Sequence, residues 1–248
     1  MKKIIWISGL VGLAGNAFAA NVINGGPFDG PQDGGFYNLW TPIQANSKFE
    51  RFVMKDDLEY GISDAFSIRV ATSGAYDSSD NPEYGKWSWN DLLFGFDWTL
   101  WQQGELISEI YGDVKQIYDT KHNLQTVAYN WTMGARVGRM TDNWTVAGIV
   151  QVDYRNDDLP HDTFDAWAMT VGILGQYIVS NKWNWVAGLM FDFDLFDDYY
   201  NGERLRLKVG LNRNLDENKY LGVYAEKDIV HSFESAPAVI GVAFGVVF

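Results

Sequence analysis

The strictest constraint in this chain is a long segment whose residues alternate between two chemical characters. In "WNWVAGLMFDFDLF", residues 183–196, one alternate set is wholly apolar or aromatic: Trp183, Trp185, Ala187, Leu189, Phe191, Phe193 and Leu195. The other set is mixed: Asn184, Val186, Gly188, Met190, Asp192 and Asp194. A period of two predicts a β-strand. The segment is longer than the roughly five or six residues of an ordinary strand, and it fits a tilted strand of about ten residues that crosses a membrane and extends into water.

The same alternation recurs in three other segments, 127–138, 144–154 and 204–212. In each of them one face is uniformly apolar and aromatic, while the other face is mixed, small and in part charged. A soluble β-sandwich would expose its polar face and bury its apolar one. These segments instead indicate strands with an apolar outside and a mixed inside.

Composition excludes several classes of protein. No stretch after residue 19 approaches twenty apolar residues, so membrane-spanning helices are excluded. The formal net charge of −13 makes nucleic acid an unfavourable partner, since phosphate binding needs a basic surface. The chain has no cysteine, which rules out disulfides and cysteine-based metal or redox sites. Aromatic residues make up 16% of the chain, which suits strands that meet lipid on one side.

The N-terminus has the pattern of a secretory signal peptide. Lys2 and Lys3 precede an apolar run, and "AFA" at 17–19 matches the small-residue cleavage pattern. We therefore expect residues 1–19 to be removed, which takes the formal charge to −15. Residues 20–34, rich in Gly and Pro, are predicted to form a periplasmic N-terminal segment, with a plug inside the barrel as the alternative. Residues 35–248 would form the membrane domain.

Turn spacing predicts the number of strands. Short turns fall at Asp64, Gln103, Asp142, Asn181 and Glu217, at intervals of 39, 39, 39 and 36 residues. Each interval fits one long hairpin and its outer loop. The pattern predicts an all-β chain of twelve antiparallel strands, with ten as the alternative, because "FYNLWTPIQA" is broken by Pro42 and "ELISEIYGDVKQIY" has two similar faces.

Taken together, these features resemble the bacterial outer-membrane β-barrel superfamily, in a porin-like form without a subfamily motif. The residues that carry the resemblance are the signal peptide, the alternating strands, short turns such as "GISDAFSI" and the final "AVIGVAFGVVF". It implies a closed barrel in the outer membrane, in contact with lipid and lipopolysaccharide. It also implies that the last strand, ending in Phe248, is the signal read by the barrel-assembly machinery.

A barrel of this kind has aromatic girdles and a distinct lipid face. The predicted girdle residues are Trp98, Trp144, Trp183 and Tyr220 near the short turns and Tyr76, Tyr154 and Tyr199 near the long loops. In the last strand, the predicted lipid-facing set is Ala238, Ile240, Val242, Phe244, Val246 and Phe248. The predicted lumen-facing set is Val239, Gly241, Ala243, Gly245 and Val247.

The main candidate site is a ladder of opposite charges on the lumen side of the last third. Asp192 and Asp194 are predicted to lie opposite Arg204, Arg206 and Lys208. The next strand adds Tyr220, Tyr224 and Glu226. One interpretation is a selectivity zone in which fixed charges replace part of a solute's hydration. The other is that the charges neutralise each other and brace the wall, since buried charges must be paired.

Twelve strands lie between the filled eight-stranded barrels and the open sixteen-stranded ones. The predicted function is therefore a narrow porin-like channel for small hydrophilic solutes, with a cation preference. One alternative is a non-conducting structural or surface-interaction barrel, whose lumen would be filled by bulky inward side chains.

Two acidic loops suggest further chemistry. Asp157, Asp158, His161 and Asp162 supply the acid and imidazole of a loop-side hydrolase, although no serine is arranged with them. Asp192, Asp194, Asp197, Asp198 and Glu203 are oxygen ligands of the kind that calcium or magnesium prefers, without the spacing of an EF-hand. No resident cofactor is predicted, and divalent cations at the acidic loops are the alternative.

Overall fold

The computed structural model describes residues 28, 34–46, 51–78, 87–119, 125–158, 163–180, 182–195, 203–215, 219–231 and 238–247. All of its regular structure in these ranges is β-strand. The described residues include no helix that is long and apolar enough to cross a membrane.

Twelve antiparallel strands form one closed barrel. They are β1 Phe36–Asn46, β2 Arg51–Ser63, β3 Phe66–Asp77, β4 Trp87–Gln103, β5 Leu106–Asp119, β6 Gln125–Met140, β7 Trp144–Asp158, β8 Thr163–Ser180, β9 Trp183–Asp194, β10 Arg204–Asn214, β11 Lys219–His231 and β12 Val239–Val247. Each strand pairs with its neighbours in sequence, and β1 pairs with β12 to close the sheet. The prediction of twelve strands is confirmed, and the alternative of ten is wrong.

The two segments that were hard to interpret from the sequence are both strands. In β1 the pairing with β12 shifts between Trp40 and Ile43, on either side of Pro42. Proline has no backbone N–H to donate, so the sheet accommodates it with an irregularity rather than ending. The segment with two similar faces is β5, which pairs with β6 from Leu106 to Asp119.

Side chains alternate between the outside and the inside of the barrel as the pattern predicts. In β9, Trp185 is 53% exposed on the outside, whereas Asn184 is 2% and Val186 is 3% exposed on the inside. In β12, Ala243 is buried on the inner face and Ile240 is exposed on the outer face. Phe248 lies outside the described residues, so its role as an assembly signal stays a prediction.

The two ends of the barrel differ in their connections. We call the end at which β2 connects to β3, β4 to β5, β6 to β7 and β8 to β9 the turn rim, and the opposite end the loop rim. At the turn rim, Gly104 has a φ of 60°, a backbone conformation that residues other than glycine rarely adopt. In the turn from 141 to 143, the Thr141 N–H donates to the Trp144 carbonyl at 2.8 Å. The start of β1 and the end of β12 also lie at the turn rim.

Aromatic side chains gather at both rims. At the turn rim, the guanidinium of Arg139 lies 5.4 Å from the Trp144 ring and that of Arg213 lies 5.3 Å from the Trp183 ring. Trp98 belongs to the same band and is 48% exposed. At the loop rim, ring contacts of 4.7 Å join Tyr76 to Trp87 and Tyr154 to Trp167. Tyr199 lies outside the described residues.

Tyr220 is a correction to the predicted girdle. Its side chain is fully buried, and its hydroxyl is hydrogen-bonded to that of Tyr37. It has the same strand parity as Tyr224, so both rings lie on the inner face of β11. The prediction that placed Tyr220 in the lumen is therefore the one that the structure supports.

Phe28 is the one residue described within the segment 20–33, and it lies inside the barrel. Its ring is 4% exposed and packs against Ile107 and Ala147 on the inner faces of β5 and β7. A Cβ added to Gly138 would come within 2.9 Å of this ring. The position of Phe28 differs from the one expected in a free periplasmic tail. The predicted segment boundaries at residues 19 and 34 stay predictions.

Candidate functional site

Strands β9 and β10 bring the predicted acidic and basic residues together around Asp192. Arg204 Nε donates to Asp192 Oδ2 at 2.6 Å. Arg206 binds the same carboxylate twice, through Nε to Oδ2 at 2.6 Å and Nη2 to Oδ1 at 2.9 Å. Thr170 on β8 donates to Oδ1 at 2.7 Å. One carboxylate therefore holds two guanidinium groups and a hydroxyl.

The ion pairs continue onto β11 through Glu226. Arg206 Nη1 lies 3.3 Å from Glu226 Oε1, and Lys208 Nζ lies 3.7 Å from Glu226 Oε2. Lys208 Nζ also lies 5.8 Å from the centre of the Tyr224 ring. We call the set Asp192, Arg204, Arg206, Lys208 and Glu226 the mixed-charge wall. It is a continuous chain of pairs along the inner surface, from Arg204 to Lys208.

The strand register shows which of the predicted acidic and basic residues lie directly opposite each other. Arg204 lies opposite Asp192, as expected, but Lys208 lies opposite Gly188. Asp194 lies opposite Ala168 of β8, one inward position nearer the loop rim than Asp192. The two aspartates are therefore not equivalent, because only Asp192 is level with an arginine that β10 supplies.

A second charged cluster lies on strands β2 to β6 and was missed in the sequence. Arg69 Nη2 lies 3.3 Å from Asp113 Oδ2, and Arg69 Nε lies 3.9 Å from Asp57 Oδ1. Arg136 Nε donates to Glu109 Oε2 at 2.7 Å, and Arg136 is also paired with Asp97.

Glu59 completes this cluster and accepts a hydrogen bond from the Ser67 hydroxyl. We call the set Asp57, Glu59, Arg69, Asp97, Glu109, Asp113 and Arg136 the acid-rich wall. It contains five carboxylates and two guanidinium groups, so its formal charge is negative.

The sequence did carry a signal for the acid-rich wall. On β2, Lys55, Asp57 and Glu59 recur at a spacing of two and point inward. Asp56 lies between them on the outer face and breaks the apolar set that made the other strands easy to read. On β5, Glu109 and Asp113 share the inner face, but the apolar residues on both faces of that strand concealed the alternation.

A polar network connects the acid-rich wall with strand β7. The Tyr111 hydroxyl donates to Gln151 Oε1 at 2.9 Å, and Gln151 Nε2 donates to Asp153 Oδ2 at 2.7 Å. Thr132 donates to Asp153 Oδ1 at 2.7 Å. The guanidinium of Arg136 lies 5.1 Å from the centre of the Tyr111 ring. These contacts extend the acid-rich wall from Arg136 to strand β7.

Inward tyrosines lie flat against glycines of the neighbouring strand. Tyr220 covers Gly245 and Tyr224 covers Gly241, and each pair is directly opposite in register. In the same way Tyr111 covers Gly134. A Cβ on any of these glycines would collide with the ring. The rings therefore fill the space next to the wall that is free because glycine has no side chain.

Comparison with known proteins identifies the fold. No family model matches the sequence, and no curated protein matches it. An outer membrane channel from Pseudomonas putida F1 is similar in structure, with a TM-score of 0.60 and 13% identity over 91% of this chain and 100% of that chain. The NanC porin has a TM-score of 0.60 and 8% identity over 86% of this chain and 98% of that chain. The KdgM porin in complex with disordered oligogalacturonate has a TM-score of 0.54 and 10% identity over 86% and 99%.

The chain has the fold of an outer-membrane β-barrel. At these identities the similarity is one of fold. In an outer-membrane barrel the sheet must close, since lipid cannot satisfy the hydrogen bonds of an open edge. In this chain the exposed outer face is apolar, and the two charged walls line the lumen.

The predicted loop sites of this barrel lie largely outside the described residues. Asp157 and Asp158 end β7, but His161 and Asp162 belong to the undescribed part of the next loop. Asp197 and Asp198 are likewise undescribed, and Glu203 is exposed just before β10. A loop-side hydrolase and a divalent-cation site therefore stay predictions.

Proposed function

We propose that this outer-membrane barrel is a narrow porin-like channel for small hydrophilic solutes, with a preference for cations, in the outer membrane of a bacterium. The observation that carries the proposal is the lining of the lumen by charged side chains on both walls. A barrel that only braces a membrane has no need of so many ionised groups facing inward, because each of them costs desolvation unless water or a partner compensates it. Ion-pair partners compensate the buried Glu109, Asp192 and Lys208. A water-filled pore would hydrate the half-buried Arg69, Arg204 and Glu226 as well.

The position of the tyrosines supports a channel over a filled barrel. Bulky inward residues were the reason to expect a filled lumen, and Tyr220 and Tyr224 are the largest of them on β11. Both rings lie on glycines of β12, so they replace side chains at the wall rather than extending across the lumen. The inner face of β12 itself carries small residues, including Gly241, Ala243 and Gly245.

The acid-rich wall supports the cation preference. Its five carboxylates exceed its two guanidinium groups, whereas the mixed-charge wall is close to balance. Charged groups that line a narrow pore raise the local concentration of the opposite ion. A cation therefore has a favourable path along β2 to β6. The similar structures are channels or porins by name, which agrees with this proposal without defining the solute.

Liposome swelling tests the proposed solute class. Purified barrel in liposomes is exposed to neutral sugars of increasing size, and the swelling rate is followed by light scattering. We expect rapid swelling with monosaccharides and a sharp fall between disaccharides and larger sugars, because a twelve-stranded lumen is narrow. Empty liposomes and heat-unfolded protein are the controls. No swelling with any sugar, from barrels that retain folded mobility on gels, would contradict the proposal.

A non-conducting barrel is the second candidate, and Phe28 is the observation that favours it. This ring occupies the lumen beside Ile107 and Ala147, close to the turn rim. If the N-terminal segment closed that end, the folded protein would not conduct. Removal of residues 20–33 distinguishes the candidates, since a closed barrel would conduct only after the deletion and an open channel would conduct before it.

A further inference from the structure

The outer face of the barrel carries two isolated charges in its apolar surface. Among the described outward-facing side chains, Asp56 and Lys227 are the only charged ones more than three residues from a strand end. Asp56 lies between Met54 and Leu58 on β2, which are 45% and 42% exposed. Lys227 is exposed on β11 and lies opposite Leu207 of β10, which is 40% exposed. Charged side chains on a lipid face are unfavourable, most of all near the middle of the bilayer.

These two charges flank the seam where the barrel closes. The order of strands around this side is β2, β1, β12 and β11. Asp56 is therefore one strand from the seam between β1 and β12, and Lys227 is one strand from it on the other side. Asp56 lies seven residues from Ser63, the turn-rim end of β2, and Lys227 lies eight residues from Lys219, the turn-rim end of β11. The two charges are thus at similar depth in the membrane.

Within one chain the two charges are too far apart to form an ion pair. Three strand spacings separate β2 from β11, which amounts to about 14 Å along the surface. Asn38 Nδ2 donates to Asp56 Oδ1 at 2.7 Å, which supplies one hydrogen bond but no opposite charge. Neither charge has an oppositely charged partner among the described residues of the outer face. Both point outward, toward any molecule that packs against the seam.

We propose that the face formed by β2, β1, β12 and β11 is the interface of a two-fold symmetric dimer, in which Asp56 of each copy pairs with Lys227 of the other. A two-fold axis along the membrane normal, beside the seam, places β2 of one barrel against β11 of its partner and the reverse. The same operation forms two ion pairs, so both unfavourable charges are neutralised together. A lipid phosphate would neutralise Lys227 but would repel Asp56, so it satisfies only half of the face.

The rest of the face fits such a contact. Trp40, Ile43 and Ile240 lie on the outer surface of β1 and β12 and are 49%, 44% and 49% exposed. These side chains can pack against a second apolar surface as readily as against lipid. The apolar residues therefore give area, whereas the two charges give orientation and partner choice.

Cysteine cross-linking tests the interface, and the absence of native cysteine makes single-cysteine variants unambiguous. Val242→Cys lies at the seam, opposite Ile43, next to the proposed axis. Val150→Cys is the matched control, on the outer face of β7 on the far side of the barrel, where the native valine is 46% exposed. In oxidised outer membranes we expect a covalent dimer from Val242→Cys and monomer from Val150→Cys. A Val242→Cys variant that stays monomeric, or cross-links no better than the control, overturns the proposal.

Exchange of the charges tests the pairing. In the Val242→Cys background, Asp56→Lys or Lys227→Asp places like charges together, and we expect each to lower the dimer yield about tenfold. The double variant restores opposite charges and should return the yield to near its original value. A double variant no better than the singles overturns the pairing, as do single variants without effect.

Two further measurements keep the test decisive. Heat-modifiable mobility on gels reports whether each barrel is folded, and Asp56→Asn and Lys227→Met provide milder changes that should lower the yield in the same direction. Co-purified lipopolysaccharide is quantified for every variant. If Lys227→Met lowers bound lipopolysaccharide while Val242→Cys never cross-links, the face binds lipid and the dimer is rejected.

Discussion

Asp192 shows how one residue organises a charged wall. Its carboxylate is bound by Arg204, Arg206 and Thr170, and its side chain is 5% exposed. Removing one partner of a buried ion pair is more damaging than its formation is stabilising, because the remaining charges are left without compensation. The two guanidinium groups therefore depend on this carboxylate more than on any other single group.

We expect Asp192→Asn to shift the pore toward anions and to lower stability. The amide keeps one acceptor but has no charge, so Arg204 and Arg206 would attract chloride instead. The cost of breaking such a pair is about 3 kcal/mol, which urea unfolding in lipid vesicles would measure. Asp142→Asn, at the exposed turn before β7, is the matched control and should change neither property. An unchanged ion preference in Asp192→Asn would show that this wall does not line the path.

Gly245 shows how a residue without a side chain can determine the position of a neighbouring ring. Because Tyr220 lies directly on it, Gly245→Ala would force the ring away from the wall and break its hydrogen bond with Tyr37. We expect a loss of about 1–3 kcal/mol, the usual cost of overpacking, and a smaller single-channel current. Gly148→Ala is the control, since the nearest atom to its added Cβ is 3.8 Å away. Equal stability of both variants would show that the Tyr220 ring does not need the space above Gly245.

The acid-rich wall is formed by five neighbouring strands rather than by a single one. Strands β2 to β6 each contribute one or two charged residues, and Arg69 and Arg136 connect strands that are not adjacent. No single segment of sequence contains this set. It exists because the register brings the inner faces of successive strands together.

Asp97→Asn is the sharpest test of the acid-rich wall. Arg136 keeps Glu109 at 2.7 Å as a partner, so the change removes one negative charge without leaving an unpaired cation. We expect the ratio of potassium to chloride permeability to fall, as measured by the zero-current potential. Asp56→Asn removes the same charge from the outer face and should leave the ratio unchanged. Equal effects of the two variants would mean that overall charge, not the lumen wall, sets the preference.

Alternation determined how much of each strand could be predicted. Strands β6, β7, β9 and β10 have one clean apolar face, so their position and orientation follow from the sequence. Strand β2 was predicted as a strand, but Asp56 concealed its inner charges because an outward carboxylate breaks the apolar set. Tyr220 was predicted both as a girdle residue and as a lumen residue, because a tyrosine near a short turn is typical of a girdle. Its even spacing from Tyr224 shows that it faces the lumen.

Contacts between distant strands could not be predicted in the same way. The pairing of Arg69 with Asp113 joins residues 44 positions apart and depends on the closure and shear of the whole barrel. The sequence predicted opposite charges on β9 and β10 because those strands are consecutive. It could not place Phe28 against Ile107 and Ala147, because a Gly- and Pro-rich segment carries no period that indicates a position.

For the whole molecule, closure converts twelve amphipathic strands into two surfaces. The outer surface exposes apolar side chains, and the inner surface encloses the charged walls and Phe28. We expect Phe28→Ala to raise single-channel conductance, because the ring lies within the lumen near the turn rim. Folded mobility on gels should be retained, since the contacts of Phe28 are peripheral to strand pairing. A conductance equal to that of the unmodified protein would place the ring outside the ion path.

The proposed channel conducts through a charged lumen that prefers cations. The most direct test is the zero-current potential of the unmodified protein in a planar bilayer with a tenfold gradient of potassium chloride. We predict stable channels whose potential has the sign of potassium permeation and declines as the salt concentration rises, because salt screens the fixed charges. Correctly folded barrels that give no current, or a potential with the sign of chloride permeation, would contradict a cation-preferring channel.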